Sequence, residues 1–226
     1  MEKTFVGDVH GKWKSYRNLL DDIPSGSIQV GDMGWGFPDH NTYVVNKEDR
    51  ENVPPGVSYP PERALHREMI EHSARYIRGN HDNPEMCKLH ELCIDDGHTE
   101  DGMMFIGGAH SIDKDYRIPG YSWWEDEELS YRDLGEMIAK YEEYKPDVMV
   151  THDIPDTVAR HLFPFYSKND PVNNSRTRSA FDTMFHQTDH KPKIWVFGHW
   201  HESVSINILG TDFYCLNELE SKTIVL

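Results

Sequence analysis

The stretch Thr4-Phe5-Val6-Gly7-Asp8-Val9-His10-Gly11 decides how the rest of the chain is read. A short apolar run of strand character ends in a glycine, then in a carboxylate and an imidazole two residues apart. The same arrangement returns near the other end as Ile194-Trp195-Val196-Phe197-Gly198-His199-Trp200-His201. Between them, Ser27–Val30 leads into Gly31-Asp32, Tyr76–Ile77 into Gly79-Asn80-His81-Asp82, and Asp147–Val150 into Thr151-His152. Runs this short and rich in β-branched and aromatic residues suit buried strands. Residues i and i+2 of an extended chain point to one side. Asp8 with His10, and His199 with His201, are therefore each expected to reach one ion, with the adjacent glycines turning the backbone away. Ligand sites of open α/β sheets lie at the carboxyl ends of strands, so five such ends can converge. Carboxylate, imidazole and amide oxygen together suit manganese, iron or zinc better than a thiolate site would.

Working outward, Met103–Ile106 is a sixth apolar run, and helical stripes lie between the strands. Leu134, Met137, Ile138 and Tyr141 follow the i, i+3, i+4, i+7 rule, and Ser130 with Asp133 reads as the cap that starts that helix. Shorter stripes are Trp13, Tyr16 and Leu20; Leu65, Met69 and Ile70; and Phe181, Met184 and Phe185. Alternating strands and helices predict an α/β protein, a single domain over residues 1–226. Two Pro-bearing stretches, about 34–61 and 155–178, read as long loops. Ser203–Leu226 reads as an antiparallel finish with a turn at Gly210-Thr211, and Glu125-Asp126-Glu127-Glu128 as a solvated approach to a helix.

Composition narrows the function. A net charge of −16 excludes a general basic surface for nucleic-acid backbones and disfavours a polybasic membrane anchor. Three cysteines make no disulfide framework, and neither a signal peptide nor a run of about 20 apolar residues is evident. The expected compartment is a reducing cytoplasm. Cys87 with His90 and His186 with His190 have ligand-like spacing but no completing pair, and no P-loop or Gly-x-Ser-x-Gly element occurs.

The ordered set Asp-x-His, Gly-Asp, Gly-Asn-His-Asp, a later His and Gly-His-x-His, spread over residues 7–201, resembles the calcineurin-like metallophosphoesterase superfamily. The resemblance implies a layered β-sandwich of two mixed sheets flanked by helices. It also implies two divalent ions, manganese first, with iron, zinc or nickel as options. Asp8, His10 and His201 would bind one ion; Asn80, His152 and His199 the other; Asp32 would bridge them. A metal-bridging hydroxide would attack phosphorus, with His81 as general acid or transition-state stabiliser and Asp82 helping to position its turn.

The substrate is less defined. The second block, Gly31-Asp32-Met33-Gly34-Trp35-Gly36, lacks the Arg found after Gly-Asp in the superfamily's protein phosphatases, and Asp82 stands where those have Glu. Both departures favour a phosphodiesterase acting on cyclic or short nucleotides, with phosphomonoesters as further substrates. A phosphoprotein phosphatase, a nuclease and a non-catalytic scaffold on the same fold are the alternatives. Candidate phosphate contacts are His110, Arg117, Lys168, Arg176 and Arg178, and Trp35, Trp123, Trp124 and Trp200 read as core anchors or base-stacking groups.

Overall fold

The computed structural model describes residues 2–37, 60–164 and 175–226. Ten strands form two sheets. The first holds β1 (Glu2–Val6), β2 (Ile28–Gln29), β3 (Arg75–Tyr76) and β10 (Ser221–Val225) in the order β10-β1-β2-β3. The second holds β4 (Thr99–Glu100), β5 (Met103–Ile106), β6 (Val148–Thr151), β7 (Ile194–Phe197), β8 (Val204–Ile208) and β9 (Thr211–Cys215) in the order β4-β5-β6-β7-β9-β8. Within the first sheet β1, β2 and β3 are parallel; within the second β5, β6, β7 and β9 are. The antiparallel strands β10, β4 and β8 lie at sheet edges. All six apolar runs read from the sequence carry a strand.

Strand alternation builds the layers. Phe5, Phe105, Val148, Val150, Ile194 and Val196 point between the sheets and form one core. Their neighbours Met104, Ile106, Met149, Trp195 and Phe197 point outward. There they pack against Tyr141 of α4 (Tyr131–Tyr144), Val158 of α5 (Asp156–Leu162) and Phe181 of α6 (Arg176–Asp182). Across the first sheet, Val6 and Tyr76 meet Tyr16 and Leu20 of α1 (Trp13–Asp22) and Leu65 and Met69 of α2 (Pro60–Glu71). A third helix on that side, α3 (Pro84–Leu89), starts at Asn83, whose side chain accepts from the Glu85 and Met86 amides. The result is two mixed sheets flanked by helices, as expected.

Three local expectations change. The two long loops are partly helical: α2 begins at Pro60, α5 lies within 155–178, and α6 begins at Arg176. Proline is tolerated in a helix's first turn, where no backbone N–H is needed, so Pro60 and Pro61, which read as loop markers, start a helix and Pro155 caps one. The remaining parts of those loops, 38–59 and 165–174, lie outside the described residues. The final hairpin turns at Leu209-Gly210, both at positive φ (53° and 90°), one residue earlier than expected. Two positive φ values in a two-residue turn match the twist of the flanking strands. Phe181, Met184 and Phe185 are buried, but α6 runs into a π-helical turn at Thr183–Gln187 rather than one continuous α-helix.

Phe105 is fully buried between the sheets. Phe105→Ala is expected to cost about 3–5 kcal/mol, read as a lowered urea midpoint at unchanged m-value; a loss below about 1 kcal/mol would mean that the two sheets are not held by this core.

Candidate metal centre

Each candidate ligand lies just beyond a strand. Asp8 and His10 follow β1, Asp32 follows β2, Asn80 and His81 follow β3, His152 follows β6, and His199 and His201 follow β7. These segments meet at one end of the sandwich. The Nε2 atoms of His10 and His201 lie 2.8 Å apart. Asp8 Oδ2 lies 3.6 Å from the first and 3.1 Å from the second. Asp32 faces both halves of the cluster, with Oδ2 3.7 Å from His10 Nε2 and Oδ1 3.3 Å from His152 Nε2. His152 Nε2 also lies 3.1 Å from Asn80 Oδ1, while its Nδ1 bonds the Val30 carbonyl at 2.8 Å. Among the described residues, three groupings could each hold an ion: Asp8, His10 and His201; His10, Asp32 and His81; and Asp32, His152 and His199.

The route to this convergence differs from an i, i+2 pair on an extended strand. His10, Asp32, His199 and His201 have φ of 48°, 59°, 67° and 52°, in the left-handed region. Such conformations cost L-residues energy and persist where the surroundings hold them. Glycine serves turning at Gly11 and Gly31 (φ 68° and 104°) and close approach at Gly79 and Gly198. A Cβ on Gly79 would stand 2.0 Å from Asp32 Oδ1, and one on Gly198 would stand 2.1 Å from Asp8 Oδ1. The missing side chains leave room for carboxylates delivered by other strands.

Backbone amides complete the carboxylates' surroundings. His199 N–H donates to Asp8 (3.1 and 3.2 Å), and His81 N–H donates to Asp32 Oδ1 (2.7 Å). Burial disfavours ionisation of Asp8, but hydrogen bonds from His10 and His201 outweigh it and hold the carboxyl at about 2. Burial also opposes charge on His152, yet Asp32 beside it, with Asp8 and the Val30 carbonyl, raises it to about 10. Burial drives His199 down to about 4.

The donor set fits divalent cations. Oxygen and imidazole nitrogen converge without a thiolate, and the Nε2 atoms of His10 and His201, 2.8 Å apart, could both turn to one ion once deprotonated. Asp8, His10 and His201 would hold one ion, Asn80, His152 and His199 the other, with Asp32 between them.

The remaining candidates separate. Arg117 stands at the cluster: its Nη2 lies 2.6 Å from His81 Nε2, and Asp113 Oδ1 lies 2.7 Å from the same guanidinium nitrogen. A guanidinium only donates, so His81 Nε2 accepts and its proton sits on Nδ1. Phe37 stacks on the His81 ring at 4.6 Å. Asp82, expected to help position the turn that carries His81, turns to the backbone. It accepts from the amides of Met33 (3.2 Å), Gly34 (2.7 Å), Trp35 (2.9 Å) and Gly79 (2.8 Å), tying two ligand-bearing segments together. His110 pairs with buried Glu128 at 3.5 Å. Arg176 is engaged by the carbonyls of Glu125, Glu128 and Leu129. Arg178 is buried 3.7 Å from Asp153 and 3.9 Å from Asp156. These contacts give His110, Arg176 and Arg178 protein partners of their own, and Asp153, the partner of Arg178, adjoins His152. Lys168 lies outside the described residues.

Of the tryptophans, Trp35 packs in the core beside Trp13 and Tyr76. Trp200 stacks on Phe163 at 4.4 Å, and Trp124 lies 6.0 Å from Phe37. The acidic run departs most from expectation: Glu127 and Glu128 are each 3 % exposed rather than solvated. Glu127 was missed as a site neighbour, as was Ser111. An acidic run gives no sequence signal for burial when its partners arrive from a different strand.

Known proteins place this geometry. A family model for calcineurin-like phosphoesterases matches residues 1–203, and the chain belongs to that family. No curated protein matches the sequence. Among solved structures, a Staphylococcus aureus protein provisionally assigned as a 5′-nucleotidase, in complex with alpha-ketoglutarate, is similar at a TM-score of 0.53 and 10 % identity. The similarity covers 99 % of this chain and 50 % of that one, so the chain spans half the length of its structural neighbour. At that identity the likeness concerns the fold.

A metal ligand must be deprotonated, so binding displaces protons. With His152 holding its proton to about 10, Mn²⁺ binding at pH 7.5 is expected to release about one proton from this residue, seen by calorimetry in buffers of different ionisation enthalpy. Affinity should rise with pH up to that value. In the metal-free fold the sign is opposite. The His152–Asp32 pairing contributes fully below the ordinary histidine range and is lost as pH rises through about 10. Mn²⁺ affinity that is flat over this range would mean that His152 and Asp32 are not paired.

Proposed function

We propose that this calcineurin-like phosphoesterase is a metal-dependent phosphodiesterase acting on small substrates, cyclic or short nucleotides, with phosphomonoesters as slower substrates. The observation that carries the reading is the convergence of Asp8, His10, Asp32, Asn80, His152, His199 and His201 beside Arg117 and His81. Two Mn²⁺ ions held there would supply Lewis-acid polarisation of the phosphoryl group and acidification of a water.

The protein's own groups do the rest. Arg117 donates to a non-bridging phosphoryl oxygen, a charge-assisted bond that orients the ester. In doing so it releases His81 Nε2, which takes up a proton from water and donates it to the leaving oxygen. Phe37 against the His81 ring holds the imidazole in place. Asp82 keeps the segments carrying Asp32 and Asn80 in register through its four amides.

Charge supports a diester. Arg117 is the guanidinium in contact with a cluster residue, and it shares its charge with Asp113. A diester monoanion is matched by less positive charge than a monoester dianion. The buried cluster also lets an acidic chain bind an anion, because bound cations dominate the local field.

With Mn²⁺, the chain is expected to cleave bis(4-nitrophenyl) phosphate with higher kcat/KM than 4-nitrophenyl phosphate or a phosphopeptide, and His199→Ala to abolish turnover. Arg117→Ala should raise KM for the diester about 10- to 100-fold, the worth of one hydrogen bond to a charged group. Preference for the phosphopeptide would reassign the substrate to phosphoproteins, and full activity in His199→Ala would remove the cluster from the reaction.

A further inference from the structure

We infer that Ser111, backed by the buried Glu127, is a positioning residue that sets both a metal ligand and the phosphate-binding arginine through one hydroxyl. The inference rests on the roles proposed above for Asn80 and Arg117. Ser111 lies beyond the end of β5, 1 % exposed. Its Oγ accepts from Asn80 Nδ2 at 3.1 Å and from Arg117 Nη1 at 3.2 Å. A hydroxyl has two acceptor lone pairs and one proton. Both lone pairs are therefore used, and the proton goes to Glu127 Oε2 at 2.5 Å. The other oxygen of Glu127 accepts the Ser111 amide at 2.8 Å. The hydroxyl and the amide of Ser111 are thereby fully assigned.

Two consequences follow for the site. Asn80 is an amide whose ends differ only in hydrogen-bonding sense. With Nδ2 held by Ser111, Oδ1 must face His152, at 3.1 Å, where an ion would sit. Arg117 is held by the same atom, so the guanidinium and the amide oxygen are set against each other at a fixed spacing. Groups that orient ligands from behind are typically worth about 10- to 100-fold in metal affinity.

Glu127→Gln tests the unit with little change of shape. Glu127 accepts from an amide and a hydroxyl, whereas glutamine offers one acceptor and one NH₂ group. Either amide orientation sets an N–H against another donor. The readouts are the two Mn²⁺ binding constants from calorimetry and KM for bis(4-nitrophenyl) phosphate. Glu127→Gln and Ser111→Ala are each expected to weaken one of the two Mn²⁺ sites about 10-fold or more and to raise KM. The double variant should be no worse than the poorer single one. Arg117→Ala should raise KM while leaving both Mn²⁺ constants at their wild-type values, separating the two arms. Wild-type Mn²⁺ affinities in both Glu127→Gln and Ser111→Ala, or additive losses in the double variant, would overturn the inference. If the wild-type chain binds two Mn²⁺ but cleaves no ester, the proposed function fails, and the binding constants still decide the role of Ser111.

Discussion

Two carboxylates, Asp8 and Asp32, sit with almost no exposure at the end of an apolar sandwich, and the rest of the site answers that fact. An ionised carboxylate taken out of water costs several kcal/mol unless charge and hydrogen bonds replace its hydration. Here amides of His199 and His81 approach from two other segments, and imidazoles of His10, His152 and His201 surround the oxygens. The balance keeps both groups ionised, Asp8 at about 2 and Asp32 well below the usual carboxylate range. Such a pocket pairs two buried anions with a nitrogen-rich surround, an environment that divalent cations could complete. A cation bound there would take the place of the imidazole protons in offsetting the repulsion between the two carboxylates.

The sheet topology explains why donors so distant in sequence share one place. Parallel strands all present their carboxyl ends to the same side. β1, β2 and β3 of one sheet and β5, β6, β7 and β9 of the other end on the site side, and each is followed by a residue that enters or supports the cluster. After β9 comes Glu218, whose Oε1 lies 3.8 Å from His201 Nδ1. The edge strands β4, β8 and β10, which run antiparallel to their neighbours, deliver none of the seven candidate ligands. Parallel strands need helical crossovers, and those helices cover the outer faces of both sheets, so one constraint yields the layers and the site together.

Much of this was legible from residues. The six apolar runs became strands because alternation on a doubly buried sheet leaves nearly every position apolar, as Met103 to Ile106 shows. The glycine-flanked polar residues after those runs fell where the site is. What misled was conformation. An extended strand would bring His199 and His201 to one side, but both are left-handed, and their partners are Asp8 and residues from other segments. The prolines at 60 and 155 signalled loops because a breaker and a helix start look alike without knowing which backbone N–H is free. Burial of Glu127 and Glu128 was illegible, since it depends on Ser111, Ser175 and Thr177 arriving from other elements.

The absent arginine of the second block has a structural answer of the same kind. Arg117, the guanidinium proposed above for the phosphate, comes from a segment after β5, and that segment also carries Ser111 and Asp113. An arginine arriving on a separate segment needs its own anchorage, because a free guanidinium would lose its orientation to rotamer entropy. Ser111, Asp113 and His81 provide three contacts on two of its nitrogens. The same segment exposes Ile112, Tyr116 and Ile118, so its polar groups turn inward to the anchored guanidinium while its apolar side chains face solvent. One short stretch of chain thus combines a fixed centre with an apolar surface.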